Sequence, residues 1–248
     1  MPIVPAHLFA AKILPDFEWD EADVLQYFYF LPAELHDRLL KLTRNGSYAL
    51  SIGSAIWILA RFATIDPDRK ARDFVVANWA EMAPGWRVQR VWPEDQDYAG
   101  PVRGPILMAM TILYDILDGR GDNPEIADRA TWMHNLALHV IPEGYGYQQW
   151  FEAAAERLSA CHSWQVEGGR EPDLFDDAFP RGAAVAPDVL MPDQSYDPAL
   201  ALEYLERLFR YERRDGNPYI LASWEHGIDH GDEDEDGHDH GRGVPLPE

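Results

Sequence analysis

The sequence predicts an all-α protein: a single globular multi-helix domain of about eight helices, with a long irregular loop at residues 164–197. Three observations lead to this fold class. Apolar residues recur at helical spacing along most of the chain, and Asx-Pro dipeptides mark several helix starts. No stretch of alternating apolar and polar residues competes with these patterns. We therefore expect a core made by helix-on-helix packing.

Asx-Pro dipeptides predict where several helices begin. An Asp or Asn side chain accepts hydrogen bonds from the free N–H groups at a helix start, and proline fits the first helical position because it has no N–H. A further helix start is predicted at Asp20, where Trp19 and Val24 are spaced as a hydrophobic staple. The dipeptides are Asp66-Pro67, Asn123-Pro124, Asp197-Pro198 and Asn217-Pro218, the last of which should begin a short helix that Gly227 ends.

Several apolar stripes have the i, i+3, i+4 spacing of an amphipathic helix, so each should bury one helix face in the core. On the last stripe Glu203 precedes Arg207 by four residues, which is typical of a solvated face. The stripes lie within residues 35–42, 71–82, 126–140, 151–158 and 202–209.

Two segments are apolar or small on every side and should form the central helices. Residues 47–62 mix Ser, Ala and Gly with large apolar residues, so a neighbouring helix could approach closely. Residues 104–117 are richer in Ile, Leu and Met. The Asn45-Gly46 pair just before the first segment predicts a helix stop, and residues 86–92 are compatible with a short extended piece.

Residues 164–197 are rich in Pro, Gly and Asp, yet they include several large apolar residues. Long structureless loops are uncommon in compact domains unless they are functional or disordered. We expect this loop to wrap onto the body, with a short helix near residues 172–179; a lid is the alternative. The globular all-α domain should span residues 1–226, followed by an acidic, His-rich flexible tail at residues 227–248.

The 248-residue chain carries a formal net charge of −22, from 43 acids and 21 Lys or Arg residues. The tail does not account for all of it, since residues 225–248 contain nine acids and one base. Such a body should repel nucleic acid and anionic membranes and should favour a basic protein partner or a cation. The simpler interpretation is that the charge only keeps the protein soluble.

The N-terminal residues lack the regions of a signal peptide, and no uncharged run is long enough for a confident membrane span. A cytoplasmic location is therefore expected. Cys161 is the single cysteine, which excludes an internal disulfide, and its Ala and Leu surroundings predict a place in the core. Arginine far outnumbers lysine, a composition typical of GC-rich bacterial genomes.

Motifs for nucleotide binding, zinc binding by cysteines or nucleophilic hydrolysis do not occur in the sequence. The best candidates for chemistry are Asp115 and Asp118, near the end of a helix that Gly119 should terminate, with Asp122 close behind. The helix macrodipole disfavours acids there, and a divalent cation could offset the charges of both carboxylates. The alternative is an ion pair with Arg120 or another arginine.

His134 and His139 could join this group only through the tertiary fold. Their spacing puts them about 140° apart on a helix, so they should not share a face. With Asp115 and Asp118 they define one alternative function: an all-α enzyme with an Asp/His divalent-metal pocket under the 164–197 loop.

Four of the nine histidines lie at the end of the chain, among acids: His226, His230, His238 and His240. Their spacings can chelate Ni²⁺, Zn²⁺ or Cu²⁺. A mobile chelator must be ordered on binding, and the sequence gives no sign of further residues that would hydrogen-bond to these histidines and orient them. We therefore favour a solvated tail with adventitious metal affinity over a dedicated metal site.

These observations leave three hypotheses. The leading one is a non-catalytic protein-binding module that holds a basic partner on an acidic, aromatic-bearing surface. It predicts that acids and exposed aromatic residues are concentrated on one face of the protein. The second is the all-α enzyme with the Asp/His pocket, and the third is metal storage or delivery by the tail.

Overall fold

The computed structural model describes Val4 and residues 15–67, 69–90, 98–120, 124–164, 179–191 and 193–222. This part of the chain is mostly helical, with seven α-helices and one two-stranded sheet. The predicted all-α fold is confirmed, with seven helices where about eight were expected. The helices are α1 (Ala33–Leu39), α2 (Arg44–Phe62), α3 (Arg69–Ala77), α4 (Gly100–Asp115), α5 (Ile126–Val140), α6 (Tyr147–His162) and α7 (Ala201–Arg214).

Short helical turns complete this description of the backbone. A π turn, Ile116–Arg120, continues α4 and contains Gly119 with a φ of 85°, so the helix ends where the sequence predicts. The 3-10 turns are Val24–Tyr27, Asn78–Met82, Pro187–Leu190 and Pro198–Leu200.

Helix α2 is the centre of the fold, as predicted from residues 47–62. It packs against α3, α4, α5 and α6, and all of its residues except Ile56 and Leu59 are buried. Gly53 shows why small residues are needed here. A Cβ at this position would lie 2.7 Å from both Leu190 Cδ1 and Trp150 Cη2, so only glycine lets these groups approach without displacing them.

The helix stop predicted at Asn45-Gly46 is wrong. Helix α2 already begins at Arg44, after Thr43. The N–H of Arg44 donates to the carbonyl of Pro180 at 3.1 Å. The N–H of Asn45 donates to the carbonyl of Arg181 at 3.0 Å. Carbonyls from a distant segment thus satisfy donors that every helix leaves open at its start, and this tertiary contact overrides the local turn preference.

The described part of the 164–197 loop wraps onto the body, as expected. Val185, Ala186, Val189 and Leu190 are fully buried, and Trp150 Nε1 donates to the Leu190 carbonyl at 2.8 Å. Residues 165–178, which include the predicted short helix, lie outside the described residues. The described apolar residues of the loop, within 179–191, therefore extend the core.

The sheet is a short antiparallel ribbon formed by β1 (Trp86–Val88) and β2 (Ile220–Ala222). The extended piece predicted within residues 86–92 is confirmed. The helix predicted after Asn217-Pro218 is wrong, because residues 220–222 alternate between buried and partly buried positions and pair with β1. Asn217 Oδ1 accepts the N–H of Tyr219 at 3.0 Å, which is turn chemistry and not a helix cap.

Helix α7 begins where the Asp197-Pro198 dipeptide predicts. The Asp197 carboxylate caps a 3-10 turn that runs directly into the helix. Glu212, buried on α7, accepts two hydrogen bonds from Arg72 of α3 at 2.7 and 2.8 Å. A buried carboxylate needs such a partner, so this ion pair fixes how α7 lies against α3.

Cys161 is exposed, so the expectation that it lies in the core is wrong. The neighbouring His162 takes the buried position at the end of α6, where its Nε2 lies 2.8 Å from the Tyr196 hydroxyl. The polar side chain is buried there because it has a hydrogen-bond partner, and this turns Cys161 toward solvent.

Candidate protein-binding surface

Residues 16–37 form a continuous acidic stretch, here called the acidic-aromatic segment. It contains no Lys or Arg, and all of its acids are exposed. It also carries six aromatic residues. The acids are Asp16, Glu18, Asp20, Glu21, Asp23, Glu34 and Asp37.

The segment is largely irregular, although a helix was predicted to start at Asp20. Only one 3-10 turn, Val24–Tyr27, forms before α1. The Asp20 carboxylate accepts the N–H of Ala22 at 2.9 Å, while Asp23 precedes the turn without a side-chain cap. The predicted helix is therefore wrong beyond this turn, because tertiary contacts hold the chain that follows in an irregular conformation.

Three aromatic residues of the segment anchor it to the body. The Tyr27 ring stacks on His139 of α5 at 4.3 Å between centroids, and the Phe17 ring lies 5.3 Å from the same imidazole. Trp19 stacks on Tyr27 at 5.6 Å. His139 Nε2 lies 2.8 Å from the Glu18 carbonyl. His139 therefore serves as an anchor for the segment, which explains its position near the end of α5.

Asn135, one turn before His139, is the second anchor. Its Nδ2 donates to the carbonyls of Phe28 and Phe30 at 3.0 and 2.8 Å, and the side chain is buried. Two carbonyls held by one amide fix the backbone through Tyr29, whose ring packs on Trp132 at 4.3 Å. Phe28 is turned into the core by this arrangement, and Tyr29 and Phe30 are turned outward.

Four large apolar side chains near the middle of the segment remain in contact with solvent. The exposed fractions are 51% for Leu25, 55% for Tyr29, 51% for Phe30 and 43% for Leu31. Burying such side chains against a partner would release apolar surface from water, and contiguous exposed apolar residues with a polar rim mark interaction sites. Exposed acids therefore lie close along the chain to the exposed rings of Tyr29 and Phe30.

Neighbouring bases neutralise little of this charge. Arg38 pairs with Glu152 at 2.5 Å, and His36 lies 2.7 Å from Asp128. Among the acids of the segment, Asp16 lies within ion-pair distance of a described base, since its Oδ1 is 3.3 Å from Arg61 Nη2. The charge of the segment therefore remains largely uncompensated, and its negative potential extends over about a Debye length, roughly 8 Å in physiological salt.

His134, the other helical histidine, belongs to a closed internal chain of hydrogen bonds. Its Nδ1 lies 3.0 Å from the Tyr147 hydroxyl, which donates to Ser54 Oγ at 2.9 Å. Burial, with a smaller contribution from the positive charge of Arg38, lowers the pKa of His134 to about 4. A neutral imidazole enclosed against the Phe151 ring is typical of a structural histidine.

Three of the residues proposed for an Asp/His pocket, namely His134, His139 and Asp118, contact different parts of the protein. His134 contacts α2 and α6, whereas His139 contacts the acidic-aromatic segment, in agreement with the prediction that they do not share a face. Asp118 faces Arg90 at 3.8 Å. The described ranges contain no group of three or more His, Cys, Asp or Glu residues arranged to hold a metal ion.

The histidines predicted as tail ligands, His226, His230, His238 and His240, lie outside the described residues. Metal binding there, and a divalent metal as a cofactor, therefore stay predictions. The domain boundary at residue 226 stays a prediction for the same reason.

No protein-family model, curated protein or solved structure matches this chain. Across the described ranges, no helix is both long enough and apolar enough to traverse a bilayer.

Proposed function

We propose that the protein is a non-catalytic binding module whose acidic-aromatic segment holds a basic protein partner. The observation that carries this proposal is the juxtaposition of exposed Tyr29, Phe30 and Leu31 with exposed acids and no Lys or Arg in residues 16–37. Apolar side chains would supply the buried centre of the interface. The acids would form its charged rim.

The physical roles of the two parts differ. A rigid aromatic side chain buried in a partner pocket contributes a large share of binding energy, commonly about 2 kcal/mol or more when it is a hot spot. The acids mainly accelerate encounter and select partners of opposite charge. The partner should therefore present Lys and Arg residues around an apolar pocket, and its cations can also lie over the Tyr29 and Phe30 rings.

Anchoring by Asn135 and His139 supports this role. The segment lacks regular helix over most of its length, yet buried Asn135 and partly buried His139 of α5 hold it at two points. An interface fixed before binding loses less conformational entropy when the partner arrives. The separation of His134 from His139 gives the enzyme alternative no comparable support.

The first test uses Phe30→Ala, with Tyr211→Ala on α7 as the matched control. Both side chains are about half exposed, at 51% and 54%. The untagged protein should be isolated gently from its own cells, and native mass spectrometry should reveal a complex with a second, basic protein. With that partner purified, Phe30→Ala is expected to raise Kd at least about tenfold, because a hot-spot aromatic side chain is lost.

Tyr211→Ala should leave Kd unchanged. Equal weakening by both variants would indicate nonspecific apolar association and contradict the proposal. So would an acidic partner, or a chain that carries no second protein when isolated from its own cells.

A second test separates charge from apolar contact by neutralising three acids of the segment. Their side chains make no ion pair or capping bond within the described part of the chain, so folding should be preserved. The association rate should fall about tenfold at low salt and converge with wild type at high salt, because screening removes steering. The three changes are Glu18→Gln, Asp23→Asn and Glu34→Gln.

The matched control for charge makes the same change to three exposed acids outside the segment: Glu143→Gln, Glu156→Gln and Asp193→Asn. These variants have the same net charge as the test variant. If both triple variants slowed association equally, total charge would be responsible and the acidic-aromatic segment would have no special role.

A further inference from the structure

A second site lies far along the chain from the acidic-aromatic segment. A cleft of about 930 Å³ opens between the β1–β2 ribbon, the first turn of α2 and residues 181–184. The charged residues that line it, within the described part of the chain, are Arg87, Arg90, Arg181 and Glu81. Three arginines and one acid are the reverse of the balance in a chain of net charge −22, so this cleft is locally positive.

The arginines come from two separate walls of the cleft. Arg87 lies opposite Leu221 in the ribbon, at the exposed position between two buried residues of β1. It forms no ion pair with another described residue. Arg90, just after β1, is 3.8 Å from Asp118, and both side chains are about half exposed. Arg181 donates to the Glu81 carbonyl from the opposite wall. Guanidinium donors therefore face the cleft from two sides.

Asn45 adds an independent observation. Its buried side chain lines the cleft, and its Nδ2 donates to the carbonyls of Gly182 and Ala183 at 3.3 and 3.1 Å. These two acceptors fix which end of the amide is nitrogen, because an oxygen there would face two carbonyls. The Asn45 Oδ1 is then left buried, with no hydrogen-bond partner in the described ranges.

A buried acceptor without a donor costs about 1–3 kcal/mol, and a donor on a bound ligand would remove that cost. The arginines favour an anion, which guanidinium groups bind through paired N–H donors. A ligand that satisfies both demands carries a phosphate or carboxylate together with a hydroxyl group. The cleft volume is in the range of small-molecule sites.

We propose that the cleft between Asn45, the β1–β2 ribbon and Arg181 binds a small hydroxylated organic anion, such as a sugar phosphate or a sugar acid. The anionic group of the ligand lies against Arg87 together with either Arg90 or Arg181. A hydroxyl group of the same ligand donates to Asn45 Oδ1. None of residues 16–37 contributes to this site. Ligand binding in the cleft can therefore be tested independently of partner binding.

Isothermal titration calorimetry of the full chain tests the site with two hydroxylated anions, ribose 5-phosphate and gluconate. Sulfate and acetate, which carry no hydrogen-bond donor at neutral pH, serve as bare anions, and ribose serves as the uncharged sugar. At least one hydroxylated anion should bind with one-to-one stoichiometry and about tenfold more tightly than its bare anion, because it alone supplies the donor for Asn45. Ribose should bind more weakly than either hydroxylated anion.

Arg87→Gln is the diagnostic variant, because Arg87 is exposed and its loss should not disturb folding. Arg207→Gln on α7 removes the same charge from an exposed helix face outside the cleft. Arg87→Gln should weaken binding of the hydroxylated anion about tenfold, as expected for loss of a charge-assisted hydrogen bond. Arg207→Gln should leave it unchanged.

Three results would overturn this proposal. One is no saturable binding of either hydroxylated anion in the millimolar range. Another is equal affinity for the bare and the hydroxylated anions, which would mean an adventitious ion site only. The third is equal weakening by Arg87→Gln and Arg207→Gln, which would point to general charge attraction. A failed partner assay would affect none of these readouts.

Discussion

Acidification from pH 7 to pH 4 is expected to lower the free energy of unfolding by about 3 kcal/mol through His134 alone. Burial keeps this imidazole neutral in the folded state, with a pKa of about 4, whereas a histidine in an unfolded chain titrates near 6.5. The unfolded state therefore binds more protons in this window. The stabilisation is complete above pH 6.5 and is lost as the pH falls toward 4.

Urea denaturation at several pH values between 7 and 4 would measure this effect against His134→Asn. The asparagine amide can still bond the Tyr147 hydroxyl, but it does not titrate. Carboxylates contribute to acid unfolding in both proteins, so only the difference between the two curves reports His134. If the free energy of unfolding fell equally with pH in the wild type and in His134→Asn, the imidazole would not be held neutral by burial.

Replacing Asn135 by alanine is expected to destabilise the protein by about 2 to 3 kcal/mol, because two backbone carbonyls lose their hydrogen-bond donor. Those carbonyls belong to Phe28 and Phe30, on either side of exposed Tyr29. Asn135→Ala changes no exposed residue of the acidic-aromatic segment. Even so, Kd for the partner should rise about tenfold or more, because a released segment must be ordered on binding.

Asn217→Ala is the matched control, and chemical denaturation together with Kd measurement checks both variants. Asn217 is likewise buried, and its Nδ2 donates to the Asp73 carbonyl at 2.9 Å, far from the segment in the chain. It should lose a similar amount of stability while keeping wild-type affinity below its unfolding temperature. If Asn217→Ala weakened the partner as strongly, reduced global stability would explain the loss and segment anchoring would not.

The sequence predicted most of the helices because their apolar stripes and caps are local features. It failed at Asn45 and after Asn217, where tertiary contacts decide the backbone. At Asn45 the carbonyls of a segment much later in the chain complete a helix start. At Ile220–Ala222, pairing with β1 outweighs the preference suggested by the Asx-Pro dipeptide. Neither the strand that pairs with residues 220–222 nor the carbonyls that complete the start of α2 can be identified from a short window of sequence.

The two candidate sites differ in how visible they were in the sequence. The run of acids without Lys or Arg in residues 16–37 is a local feature of the sequence, whereas the helix expected at Asp20 does not form beyond one 3-10 turn. Which aromatic residues anchor the segment and which face solvent depends on Asn135 and His139. The arginine-lined cleft left no sequence signal, because Asn45, Arg87 and Arg181 come from three distant stretches.

The start of α2 also constrains how the chain reaches its fold during synthesis. Asn45 and its partner Gly182 are separated by 137 residues. While a ribosome is still making the intervening chain, the central helix has emerged but the carbonyls that complete its first turn have not. Closing so long a loop is entropically slow, and domains emerge from their N-terminal end. We therefore expect the cleft around Asn45 to be among the last features to form, after the helices that pack against α2 have been synthesised.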